Sequence, residues 1–126
     1  MSRTLFLTLA AAVALAVGAT ATLFPAALLA SKGTVPSLAA NVWMRETGVL
    51  LLCLGLMAAL VRRQPDSPTL RAVLLANLLA QLGLLATEWL AWANGVITQL
   101  AGLLPNTVLH VLLAAGFAHY ARRMRR

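Results

Sequence analysis

The sequence predicts an all-α integral membrane protein, an antiparallel bundle of four helices that each cross a lipid bilayer. Of its 126 residues, 61% are hydrophobic and only 10% are charged, and the mean hydropathy is +0.87. Soluble domains are about half apolar and about a quarter charged, so a soluble fold of this size could not bury so much apolar surface. Four apolar runs of spanning length, with basic residues at their ends, complete the prediction.

Each predicted span is an apolar run of about 20 residues, the length that an α-helix needs to cross a hydrocarbon core of roughly 30 Å. Pro25 is expected to bend the first helix near its far end, because proline removes a backbone hydrogen bond. Prolines and polar residues predict an exposed turn before the third helix, with Ser67 or Thr69 as its cap. The spans are placed at about 5–30, 42–61, 70–93 and 105–121, with 94–104 as a candidate interfacial segment.

The distribution of lysine and arginine predicts that both termini are cytoplasmic. Eight arginines flank the side that carries the termini, whereas the opposite side carries only Lys32 and Arg45. Basic residues resist translocation, and an even number of spans returns the chain to its starting side. The expected location is the bacterial inner membrane, with Trp43, Trp89 and Trp92 at the non-cytoplasmic interface. The eight arginines are Arg3, Arg62, Arg63, Arg71, Arg122, Arg123, Arg125 and Arg126.

The first apolar run has an alternative interpretation as a cleaved secretory signal. Arg3 precedes the run, and residues 19–21 (Ala-Thr-Ala) resemble a cleavage site. The run continues through residues 23–30, however, which extends it to spanning length. Cleavage would also leave three spans and separate the termini, against the distribution of arginines. Retention of this segment is therefore the expectation.

Polar and ionisable residues gather at the non-cytoplasmic side of the predicted spans. An ionisable group within a span costs about 2.5 kcal/mol or more, so each one requires a partner or a function. Helical rise places both Glu88 and His110 about 8 Å inside that boundary, and Arg45 lies within about one turn of it. We expect Arg45 to pair with Glu88, and His110 to bond a carboxylate, with Glu46 or a lipid phosphate as alternative partners for Arg45. The expected ligand-binding residues are Arg45, Glu46, Asn77, Gln81, Glu88 and His110.

Each member of this cluster also has a structural interpretation. Glu46, like Arg45, can reach water from the interface through a long side chain. Asn77 and Gln81 share a helix face with Glu88 and can form interhelical hydrogen bonds, each contributing about 0.6 kcal/mol. A structural hydrogen bond is also an alternative for His110. Glu88 is the strongest functional candidate because it lies deeper than the other carboxylates.

No catalytic motif occurs in the sequence, so an enzyme is the less favoured of the possible functions. Glu46, Glu88 and His110 come from separate helices and make a weak metal site. His110 and His119 lie on opposite faces of one helix, which disfavours haem, and the cofactor stays unassigned. The lone cysteine, Cys53, can form no internal disulfide. Basic residues cluster at span ends instead of following one polar face, which excludes a nucleic-acid groove.

One spacing carries a family resemblance. Arg45-x-x-Gly48, with Gly55 seven residues later and an arginine-bearing turn after it, resembles the small four-helix bacterial membrane proteins grouped as DoxX-like. The resemblance extends over the whole architecture and implies an antiparallel four-helix bundle. Some members are linked to thiosulfate or quinone oxidation, but no catalytic residue matches here, so that activity is not carried over.

Three functions follow from these features. The first is binding or transport of a small ligand or a proton in a pocket that opens away from the cytoplasm. Transport by so small a bundle would require a homodimer. The alternative is an accessory subunit that packs against a larger membrane complex through Gly48, Gly55 and residues 10–16. The third is a membrane enzyme acting on a quinone or lipid, with Arg45 as an anion clamp and an acid/base pair beside it.

Overall fold

Helices supply all the regular secondary structure of the computed structural model, which describes residues 1–124. No strand occurs among these residues, which confirms the all-helical prediction. Four of the five helices are long and apolar enough to cross a membrane, judged by length and composition. Arg125 and Arg126, two of the arginines counted above, lie outside the described residues. The helices are α1 (Arg3–Leu23), α2 (Pro25–Ser31), α3 (Leu38–Val61), α4 (Pro68–Ala93) and α5 (Leu100–Arg123).

Serine caps begin three of the long helices. The hydroxyls of Ser2, Ser37 and Ser67 accept hydrogen bonds from the amide three residues later, at 3.1–3.2 Å, in α1, α3 and α4. Such a cap satisfies one of the amides that a helix start leaves unpaired. Of the two caps expected for α4, the structure uses Ser67. Pro68 then occupies the first helical position, where its missing N–H costs nothing.

The first apolar run forms two helices instead of one bent helix. α1 ends at Leu23, and Phe24 leaves the helical conformation with φ −127° and ψ 51°. Pro25 cannot donate a backbone hydrogen bond, and it begins α2 at this break. α2 ends at Ser31, so Lys32 follows directly as its C-terminal cap residue.

α5 begins earlier than the sequence predicted. The fourth span was placed from Pro105 onward, but the helix starts at Leu100 and contains that proline. Proline within the first turns removes only the bond to the carbonyl of Ala101, and the helix tolerates this loss. The segment 94–104 therefore divides into a loop, residues 94–99, and the beginning of α5.

The long helices pack mainly as two pairs, α1 with α3 and α4 with α5. Glycines bring the first pair into backbone contact. A Cβ atom on Gly18 would lie 2.9 Å from the carbonyl oxygen of Gly48, and one on Gly55 would lie 3.2 Å from that of Ala11. The sequence predicted that Gly48 and Gly55 allow close approach of a neighbouring backbone, and offered them as a surface for a partner protein only in the alternative function. In the structure both glycines pack against α1.

Polar contacts join the two pairs at one end of the molecule. Arg3 forms an ion pair with Asp66, which lies in the turn between α3 and α4. Tyr120 on α5 donates its hydroxyl hydrogen to the carbonyl oxygen of Met1 at 2.6 Å. These contacts bring the N-terminus, the turn and the C-terminal part of α5 together. We call this region the basic end, defined by Arg3, Arg62, Arg63, Arg71, Arg122 and Arg123.

An apolar core lies beside the basic end and involves α1, α4 and α5. The aromatic rings of Phe6 and Phe117 meet edge to face at its centre, with their centroids 5.0 Å apart. Leu7 and Leu74 are completely buried. The cluster joins α1 to the α4–α5 pair, and its buried members are Phe6, Leu7, Ala10, Leu70, Leu74, Phe117, Ala121 and Met124.

Candidate functional site

A second connection between the helix pairs lies at the end of α4 that is remote from the basic end. We call it the loop junction, formed by residues 31–34 and residues 96–99. The carbonyl oxygen of Lys32 accepts hydrogen bonds from the amides of Thr98 and Gln99, at 3.1 and 3.2 Å. The backbone of Lys32 is therefore held against the loop that joins α4 to α5.

Two glycines allow the loop junction to close. Gly33 has a φ of 71°, a conformation that residues with a Cβ atom rarely adopt. A Cβ atom on Gly102 would lie 2.5 Å from the carbonyl oxygen of Ser31 and 2.8 Å from the Cα of Lys32. Because Gly102 has no side chain, the first turn of α5 packs directly on the end of α2. This packing brings Lys32 beside α4.

Glu88 on α4 forms an ion pair with Lys32. The side chains of Lys32 and Glu88 are only 11% and 14% exposed, and Nζ contacts Oε1. Asn106 on α5 donates its side-chain N–H to the same oxygen at 2.9 Å. Removing a charge from water costs several kcal/mol, so each member of a buried pair depends on the other. Glu88 thus links α4 to the end of α2 and to α5.

The second carboxylate oxygen of Glu88, Oε2, has no hydrogen-bond partner among residues 1–124 and is buried. An unsatisfied buried polar atom costs about 1–3 kcal/mol, and more when the group is charged. Carboxylate oxygens accept hydrogen bonds and bind protons. Glu88 Oε2 is therefore the atom of this cluster best suited to take up a proton or to accept an N–H or O–H group.

A second polar contact between α4 and α5 lies closer to the middle of both helices. His110 Nδ1 is 2.6 Å from Gln81 Oε1, and since a carbonyl oxygen only accepts, Nδ1 donates. Asn77 lies one turn before Gln81 on α4 and is also buried. Its side-chain amide donates to the carbonyl oxygen of Val73 at 3.0 Å. Asn77, Gln81 and Glu88 thus occupy the inner side of α4, as their helical spacing predicted.

The structure does not bring Arg45 and Glu46 into this cluster. Both are exposed on α3, which packs mainly against α1. Neither forms an ion pair within the described part of the chain. Glu88 pairs with Lys32, whereas the sequence predicted a pair with Arg45. His110 contacts an amide, whereas the sequence predicted a carboxylate. A ligand-binding role for the six expected residues stays a prediction.

Sequence reasoning did not assign Lys32 or Asn106 to the site. In the sequence, Lys32 counts only as an orientation charge, because it lies beyond the predicted end of the first span. The break at Pro25 was the available signal, since a lysine beyond a helix break need not follow the axis of the preceding helix. Asn106 carried a clearer signal, because it lies one turn before His110 on the same helix face.

The chemistry available here is that of one buried ion pair, three amide side chains and one imidazole. Within residues 1–124, no group of three or more His, Cys, Asp or Glu residues is arranged to hold a metal ion. No protein-family model matches the chain, and no curated protein or solved structure matches it. The contacts of Glu88 are the observation on which a functional interpretation rests.

Proposed function

We propose that this chain is a multi-pass inner-membrane protein that binds a proton or a small polar ligand at Glu88. Membrane insertion is supported by the four long apolar helices and by the leucines on their outer faces. Leu50, Leu79 and Leu112 are 64–72% exposed in the middle of three different helices. Exposed apolar surface of this extent is unfavourable in water and suits contact with lipid.

An antiparallel arrangement with both termini in the cytoplasm is part of this proposal. Contacts between α1 and α3 support it: Thr4 near the start of α1 bonds the carbonyl oxygen of Arg62 just after α3, at 3.1 Å. Thr22 near the end of α1 lies against Gly48 in the first half of α3. The basic end, which gathers six arginines, then faces the cytoplasm by the positive-inside rule, and Glu88 lies near the opposite face.

The observation that carries the proposal is the set of contacts around Glu88. One carboxylate oxygen holds Lys32 and Asn106, while the other has no partner within residues 1–124. A proton on this carboxylate would remove its negative charge and with it the electrostatic attraction for Lys32. A ligand with a cationic or N–H group could replace Lys32 in the same way. The site is therefore also a link between α2 and α4 that binding can open.

The position of Lys32 allows its side chain to leave the ion pair with Glu88. Lys32 lies directly after α2, following the exposed Ser31 and three residues before the exposed Val35. Its four-carbon side chain can carry the ammonium group from the buried pair toward water at the membrane surface. The loop junction would then keep only its neutral hydrogen bonds, which are weaker than charge-assisted ones.

Hydrogen–deuterium exchange at the loop junction tests the proposal. The amides of Thr98 and Gln99 donate to Lys32, so they report whether the junction is closed. After correction for intrinsic rates, acidification should reduce their protection about tenfold, which corresponds to one charge-assisted hydrogen bond of about 1.5 kcal/mol. In Glu88→Gln, protection should be low at both pH values, because glutamine carries no negative charge to hold Lys32.

The matched control is Glu46→Gln, which removes an exposed carboxylate from α3. This variant should retain the full pH response of the wild type. A response that persists in Glu88→Gln would contradict the proposal, as would protection at Thr98 and Gln99 that does not change with pH in the wild type. Circular dichroism and thermal unfolding in the same lipid confirm that each variant is folded.

A further inference from the structure

The outer side of α5 changes from apolar to basic along its length. Leu104, Val108 and Leu112 follow one another at four-residue spacing and are 48–64% exposed. This spacing places their side chains on one face of the helix. Toward the C-terminus the exposed side chains become His119 and the two arginines of the last turn, Arg122 and Arg123.

A groove occupies the basic part of this face. It has a volume of about 640 Å³ and is lined by residues at positions i, i+3, i+4, i+7 and i+8 of α5. All its lining residues lie on α5, so the groove is open on its outer side and a phosphorylated headgroup can enter it from there. The lining residues are Ala115, Ala118, His119, Arg122 and Arg123.

No acidic side chain among residues 1–124 neutralises the charge of this groove. The sequence contains three acidic residues, Glu46, Asp66 and Glu88. Asp66 and Glu88 are held in ion pairs with other residues, and Glu46 lies on α3. Within residues 1–124, Arg122 and Arg123 form no ion pair. Two adjacent guanidinium groups are therefore exposed with no counter-charge from the described part of the chain.

We propose that this groove binds an anionic phospholipid. The guanidinium groups of Arg122 and Arg123 would hold the phosphate, since their planar donors match phosphate oxygens in a bidentate manner. The acyl chains would lie along Val108 and Leu112, which a free phosphate ion could not use. The proposal rests on the membrane orientation proposed above, in which the groove lies at the cytoplasmic leaflet, the leaflet that is rich in anionic lipid.

Lipid titration followed by native mass spectrometry tests this inference with the full chain in a neutral detergent. Phosphatidylglycerol and phosphatidylcholine with identical acyl chains are compared, with inorganic phosphate at equal ionic strength as a third arm. The wild type should bind phosphatidylglycerol about tenfold more tightly than phosphatidylcholine. Inorganic phosphate should not displace the lipid.

Two variants with equal charge locate the site. Arg122→Gln/Arg123→Gln should lose about tenfold in affinity for phosphatidylglycerol, since each basic residue near an anionic lipid contributes on the order of a few-fold or more. Arg62→Gln/Arg63→Gln removes the same charge from the same end but outside the groove, and it should keep affinity within about twofold of wild type.

Leu112→Gln provides an independent variant if the double arginine variant does not fold. It should weaken phosphatidylglycerol binding without a change of net charge, because it interrupts the apolar track for the acyl chain. Equal loss in both double arginine variants would overturn the inference, because general positive charge would then explain binding. Equal affinity for both lipids, displacement by phosphate, or unchanged binding in Leu112→Gln would overturn it too. None of these outcomes bears on the exchange response of Glu88.

Discussion

The two helix pairs of this protein associate by different means. Between α1 and α3, glycines such as Gly18 and Gly48 allow backbone atoms to approach closely. Between α4 and α5, polar side chains meet, with Glu88 bonded to Asn106 and His110 to Gln81. Close packing and interhelical hydrogen bonds are the two principal ways in which helices associate in lipid. Helices of similar hydropathy thus associate in two different ways, and the pair joined by polar side chains, α4 and α5, contains the candidate site.

The largest effect is expected from the ion pair on the polar side of this comparison. Lys32→Met leaves the Glu88 carboxylate buried without its counter-charge and should lower the free energy of unfolding by about 3 kcal/mol. The double variant Lys32→Met/Glu88→Gln should be less destabilised than Lys32→Met alone, because it buries no unpaired charge. Reversible unfolding in lipid bicelles measures the free energies of the wild type, of Lys32→Met, of Glu88→Gln and of the double variant. Costs that simply add would show that the two charges do not interact.

The glycine pair gives the next prediction. Gly48→Leu should destabilise the protein by about 1–3 kcal/mol, the usual cost of overpacking. A Cβ atom at this position would lie 2.7 Å from the amide nitrogen of Thr22 and 2.8 Å from the carbonyl oxygen of Gly18, and backbone atoms cannot rotate away. Gly83→Leu is the control, because a Cβ there has nothing within 4 Å. The thermal unfolding temperature should decrease for Gly48→Leu only. Equal decreases in both variants would contradict the assigned packing.

A smaller effect is expected from the inner polar contact of α4 and α5. Gln81→Leu removes the acceptor of His110 and should cost about 0.6–1.7 kcal/mol, from the average to the largest value measured for such interhelical hydrogen bonds in a membrane protein. Thr87→Val is the control, since the hydroxyl of Thr87 bonds only the carbonyl oxygen of Gly83 in its own helix, at 2.9 Å. Chemical denaturation in micelles compares the two variants. If Thr87→Val costs as much as Gln81→Leu, the contact contributes nothing between helices.

Much of the fold follows from local sequence. Apolar run length predicts the four long helices, and Ser67 is recognisable as a cap before Pro68. Four- and seven-residue spacing correctly places Asn77, Gln81 and Glu88 on the inner side of α4. Gly48 and Gly55 correctly indicate a close approach of backbones, although the pattern does not identify α1 as the neighbour.

The partner of Glu88 could not be predicted by the same reasoning. The depth of each residue in the membrane makes Arg45 a suitable partner. This depth is calculated along each helix separately, so it does not show which helices are neighbours. The choice of Lys32 depends on the break at Phe24 and on the loop junction, whose hydrogen bonds join residues more than 60 positions apart, as from Thr98 to Gly33. Such contacts depend on tertiary packing, which spacing within one helix does not describe.

In the proposed function, Glu88 takes up and releases a proton while it forms the buried link to Lys32. Infrared difference spectroscopy in lipid, recorded between neutral and acidic pH, observes the carbonyl stretch of a protonated carboxylic acid directly. We predict a reversible band that is present in the wild type and in Glu46→Gln and is missing in Glu88→Gln. A Glu88→Gln spectrum identical to that of the wild type, over the whole pH range in which the protein stays folded, would contradict the claim.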